Sequence, residues 1–173
     1  HLDAVHAAHL RTAAMSDFGH GRADLADARP YALDHQAGVY IEAVSLLVLD
    51  QSLTDPESAG NYVSRLQAIA PKMLDERRRL LADADAGVLP PESALHRIDQ
   101  AAASLMAAAP EAHVLVPAFR AALDGIDDLS PLARARLGRE AESTLRDAVY
   151  PALVELRATA NGLAIEARDT PGV

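Results

Sequence analysis

The sequence predicts an all-α protein: an antiparallel helical bundle with one long, proline-kinked C-terminal helix. Three observations carry this. Half of the 173 residues are apolar, yet much of that half is alanine and only six residues are aromatic. Ala, Leu, Arg and Glu favour helices, whereas the β-branched and aromatic residues that favour strands are scarce. Proline-marked helix starts recur at Asp55-Pro56, Leu89-Pro90-Pro91-Glu92 and Ser130-Pro131, where a residue without an N–H costs nothing in the first turn. Finally, apolar residues return at spacings of three, four and seven, the signature of helices buried along one stripe.

Taken in order, His1 to Ser16 alternates Ala, His and Leu and suits a short helix, and Ser16 to Pro30 has the Gly, Asp and Pro content of a loop. Tyr31 to Leu53 is apolar on more than one side and reads as the most buried helix. Asp55 then caps a helix that Pro56 begins, with Tyr62, Leu66, Ile69 and Met73 on one face, Leu80 and Leu81 further on, and Gly87 as its C-terminal stop. Pro71 lies inside that pattern and is expected to kink or split the helix. The next helix turns Leu95, Ile98, Leu105 and Met106 inward and ends by Pro110. HVLVPAF, from His113, is the one strand-like run, and Pro117 argues against a central strand there. From Ser130 to about Ala167 the pattern describes a rod of roughly 50 Å at 1.5 Å per residue. Its stripe holds Leu132, Leu145, Val149, Ala152, Leu156 and Leu163, and Pro151 should bend it. With no Ser/Gly linker and no internal repeat, residues 1–173 read as a single helical domain.

Charge and composition exclude some functions. The net charge is −9, with three basic and nine acidic residues through Gly60. No basic stripe exists to follow a phosphate backbone, so no nucleic-acid partner is expected. Arg77-Arg78-Arg79 follows Asp75-Glu76 and reads as a solvated helix face. The chain has no cysteine, which removes disulfide and thiolate chemistry and leaves the compartment, cytoplasmic or exported, open. The longest apolar run, near Ala43–Leu49, is far short of the roughly 20 residues of a membrane span.

Candidate sites are sparse. His6 and His9, three apart, would share a helix face and could reach one metal ion, with His20, Asp17 or Asp24 recruited as further ligands. Structural zinc usually shows tighter, cysteine-rich spacing, so no metal site is assigned to them. Asp17, His20, Asp24 and Asp27 around two glycines read more simply as turn-capping residues of a surface loop than as a ligand loop. Asp34-His35 has the makings of a general base, but no Ser or Cys nucleophile completes a triad, so helix capping is the better reading. His96 and His113 stand alone and are expected at the surface or half-buried.

Four blocks in order carry a family resemblance: Tyr31–Val44, Asp55–Ile69, the Gly87-Val88-Leu89-Pro90 turn, and Leu145–Ala158. With the Tyr62, Arg65, Leu66 core and Val149-Tyr150-Pro151-Ala152, they resemble the N-terminal half of a bacterial family catalogued as domain of unknown function 885. These are large, mostly helical proteins regarded as zinc metallopeptidases. The family's proposed metal site, a His-Glu pair followed by Pro-Gly-His, lies downstream of the matched region, and this chain has no His-Glu dipeptide. The resemblance therefore implies an N-terminal fragment of a longer protein, with no catalytic or cofactor-binding residue here and zinc in the missing C-terminal half. It implies a non-catalytic region that walls one side of a cleft for a peptide substrate, with Tyr62, Arg65 and Tyr150 as cleft-lining residues. Its partner would be its own missing half or a second copy, docked on an apolar face of the long helix formed by Val149, Leu153 and Leu156. The alternatives are an autonomous helical module binding a peptide or small ligand in a groove beside the long helix, and a purely structural or assembly domain.

Overall fold

The computed structural model describes residues 53–169 and, before them, residues 38, 39, 41, 42 and 47. All belong to one compact unit, Tyr31–Val173. The described residues form helices and turns without a strand. We name the helices α1 (Pro56–Asp85), α2 (Glu92–Leu105), α3 (Leu115–Asp124), α4 (Pro131–Thr144) and α5 (Tyr150–Asp169). A π-helical turn, Leu145–Val149, joins α4 directly to α5, and a 3₁₀ turn, Pro110–Ala112, precedes α3.

Local chemistry sets the ends of α1. The Asp55 carboxylate accepts from Ser58 N–H at 2.7 Å, while Ser58 Oγ accepts from Asp55 N–H at 3.2 Å, a reciprocal capping box. The Ser58 N–H holds the Asp55 carboxyl below its ordinary range. At the far end Gly87 adopts φ +83, and Gly87 N–H and Val88 N–H donate back to Ala84 and Asp83 carbonyls. Only glycine takes that left-handed stop without strain. Between these ends α1 passes through Pro71 without interruption, so the expected split does not occur. Pro71 is exposed, and Leu66, Ile69, Ala70 and Met73 are buried on either side of it. That burial, worth about 2 kcal/mol for a large side chain, holds the helix across one missing hydrogen bond.

The core fills from every helix. Tyr62 of α1 stacks on Phe119 of α3 with ring centroids 4.2 Å apart, and its hydroxyl donates to Leu115 carbonyl at 3.0 Å. The run around Pro117 is helical, with the proline at the third residue of α3, where a missing N–H is tolerated. α2 stops at Leu105, five residues before Pro110, which instead opens the 3₁₀ turn. α5 packs most extensively on α2 and next on α1.

Two expectations about the long helix need correction. Leu132 is 77% exposed rather than on the buried stripe; in the same turn Ala133 packs on the core, in line with Leu137 and Ala141, and Leu132 falls on the solvent side of that face. Val149, Leu153 and Leu156 are buried within this unit and are not available as an interface. The cause is the π turn. Leu137, Ala141, Leu145, Val149 and Leu153 are all buried at intervals of four, a spacing that would drift about 160° round a straight α-helix over four steps. In the π turn Tyr150 N–H bonds to Leu145 carbonyl, five residues back. That wider turn brings the stripe back into phase just before Pro151.

Candidate functional site

The described residues bring an imidazole and a phenol together at one place, beside the π turn. Ile69 and Met73 of α1, Leu105, His113, Leu115, Leu145, Val149, Tyr150 and Leu153 line a crevice there. It encloses about 10 Å³ of free space, room for a single water at most. His113 is buried, deeper than the surface or half-buried position expected of it, because the 3₁₀ turn feeds it under α3. Its Nδ1 accepts from Leu115 N–H at 3.4 Å, and its ring meets Tyr150 edge-on at 6.2 Å. Burial lowers its proton affinity, so the ring is neutral near pH 7. Tyr150 donates its hydroxyl to Ala108 carbonyl at 2.7 Å, and burial, reinforced by Glu111, raises its pKa. Both groups are committed to backbone partners. This is packing chemistry, with no nucleophile set against a base.

The proposed cleft residues fall in different settings. Tyr62 is buried against Phe119, and burial pushes its hydroxyl well above the usual tyrosine range. Arg65 is exposed on α1, and Tyr150 is half-buried at the crevice. Among the described residues no hydrogen bond or ring contact joins any two of the three. His96 is half-exposed and pairs with Glu92 at 3.1 Å. His6, His9, His20, Asp17, Asp24, Asp27, Asp34 and His35 lie outside the described residues.

The sequence reading missed Glu76. Val39 N–H donates to both of its carboxylate oxygens at 3.1 Å, across 37 residues of chain. Burial pushes this carboxyl up to about 7 against the opposing effect of the Val39 N–H; Glu42 adds to the rise, and Arg79 and Lys72 oppose it. Glu76 stands three residues after Met73 and four before Leu80, both buried, so helical spacing would have placed it toward the interior. The neighbouring arginines disguised it as part of a solvated run.

α5 is held on both flanks by polar pairs. On the α1 side Arg77 donates to Thr159 Oγ1 at 2.7 Å and lies 3.6 Å from Glu155. On the α2 side Asp99 accepts from Arg157 at 2.7 Å and from Asn161 at 3.0 Å. Beside the α1 flank runs an open groove of about 460 Å³, lined by Pro71, Leu74, Asp75, Arg77, Arg78 and Glu155. Between the flanks, the outer face of α5 presents Pro151, Val154, Ala158, Gly162 and Ile165 to solvent. Among the described residues no three His, Asp or Glu side chains converge to seat a metal ion, and no helix is long and apolar enough to cross a membrane.

Comparison with known proteins agrees with the fold. A crystal structure of a Colwellia psychrerythraea protein, provisionally named a lipoprotein, superposes with a TM-score of 0.74 at 22% identity. The match covers 79% of this chain and 23% of that one, so the chain spans about a quarter of its structural relative. At that identity the likeness shows the fold alone. No curated protein matches the chain. The signature of a bacterial protein family of unknown function, DUF885, matches residues 1–172, and the chain belongs to that family.

Proposed function

We propose that this chain is the non-catalytic helical region of a longer zinc-dependent hydrolase, forming one wall of a cleft that takes a peptide substrate. In this reading the zinc sits on chain outside this region, and no chemical step is assigned here. One observation carries the reading: α5 is apolar on two opposite faces. At about 100° per residue, Val154, Ala158 and Ile165 lie opposite the buried Leu156, Ala160 and Leu163. Val154 is 57% and Ile165 64% exposed. An apolar strip bordered by polar pairs has the anatomy of an interface. Its occupant in this reading is the further chain of the structural relative, of which this chain covers 23%.

Zinc and peptidase assays on the 173-residue chain test the assignment. After dialysis against zinc the chain should retain less than one equivalent and cleave no generic peptide substrate. One equivalent of zinc, lost on His6→Ala or His9→Ala, would move the metal chemistry into this region and overturn the proposal. The groove between α1 and α5 favours a second reading, an autonomous module for a peptide or small ligand. Saturable binding of short peptides that is lost on Arg78→Ala, with no zinc retained, would put that reading first.

A further inference from the structure

Glu76 has a place in the fold that the cleft-wall reading does not use. Residues 39, 41, 42 and 47 are helical, and Ile41 and Glu42 N–H groups bond back to the Gly38 carbonyl at 3.0 Å. Gly38 therefore stands where a helix cap stands, with no side chain to satisfy the free N–H groups of the first turn. Glu76 supplies the missing acceptor from α1. Val39 and Ile41 pack half-buried on the core and Leu47 is buried in it, so the carboxylate and these side chains together fasten the leading residues to the bundle. The charged groups that bear on Glu76 among the described residues are Glu42 on the fastened segment and Lys72 and Arg79 on α1.

We propose that Glu76 is a proton-controlled latch, holding the leading residues on α1 while its carboxyl is protonated and loosening them as it ionises. The protonated group still offers its carbonyl oxygen to Val39 N–H and brings no charge into the interior. The ionised group accepts a stronger hydrogen bond but carries a half-buried charge and faces the like charge of Glu42. Released into solvent, the carboxyl would return to its ordinary value of 4.5, against about 7 when latched. The latched state thus binds the proton more tightly, and its advantage is complete below about 4.5 and lost as pH rises through about 7. What opens is the apolar surface beneath Val39, Ile41 and Leu47.

Amide hydrogen exchange between pH 5 and 8, corrected for intrinsic chemistry and referenced to Leu66, tests this on the 173-residue chain. Protection at Val39, Ile41 and Leu47 should fall by about tenfold or more over that range, since each unit of pKa difference is a factor of ten. Glu76→Gln keeps the acceptor and removes the titration, so its protection should stay high and independent of pH. Glu76→Ala should be poorly protected throughout. A wild-type profile as flat as that of Glu76→Gln would overturn the latch. Should the variants fail to fold, carbon-13 titration of the Glu76 carboxyl in the wild-type chain decides alone: a midpoint near 7 supports the latch, and one near 4.5 refutes it.

Discussion

Single residues divide according to whether their role is decided by near neighbours or by distant ones. Asp55 and Ser130 could be assigned as caps from sequence because a cap's partners lie within three positions, and both side chains accept the expected N–H. His113 could not be placed, because its burial depends on a 3₁₀ turn and on α3 folding over it, neither of which shows in the spacing of apolar residues. Its burial makes an acid-side prediction. With its proton affinity lowered, the stability it confers is present above its ordinary value of 6.5 and is lost as pH falls through the lowered one. Urea midpoints at pH 7 and pH 5 should show this against His113→Phe, which fills the space without titrating. That variant should lose about 1 kcal/mol at pH 7, because Leu115 N–H forfeits its acceptor, and should then fall less on acidification than the wild type. Equal pH slopes for the two proteins would mean that the imidazole is not protected from solvent. Glu76 pulls the other way over the same range, so the comparison of variants, not the raw wild-type curve, isolates each group.

At the scale of elements, the helix starts at Pro56 and Pro131 and the stop at Gly87 were readable because Pro-marked starts, caps and a C-terminal glycine are local signals. The breaks within helices were not, and the two prolines show why. Pro71 and Pro151 look alike in sequence, yet α1 runs on through the first, while a π turn immediately precedes the second. The difference lies in the stripe. Around Pro71 the buried positions already keep α-helical phase, whereas the four-residue spacing from Leu137 to Leu153 needs a wider turn somewhere. Pro71 is exposed at the edge of the groove, and inside α1 it denies a hydrogen bond to the Gln67 carbonyl. Pro71→Ala should therefore stabilise the chain, by about 1–3 kcal/mol in a urea or thermal unfolding experiment. A loss of stability instead would show that the ring has a packing role the structure does not display.

On the scale of the whole molecule, the class and the family were legible, since both rest on patterns spread along the chain. The location of the free apolar surface was not. Sequence spacing nominated Val149, Leu153 and Leu156, but the π turn and the cover from α1 and α2 bury them, and the opposite side of α5 is left to solvent. A single chain pattern cannot say which of two apolar faces its own neighbours will take. The outer face carries the proposal's central claim, that the exposed Val154, Ala158 and Ile165 are a docking strip for further chain; without its occupant such a strip should seek a substitute in another copy. Sedimentation equilibrium at tens of micromolar tests it most directly. The wild-type chain should associate beyond its 18.3 kDa monomer, and the double variant Val154→Glu, Ile165→Glu should sediment as the monomer with the same circular dichroism and unfolding midpoint. A wild-type chain that is already a clean monomer, indistinguishable from the double variant in solubility and stability, would contradict the claim.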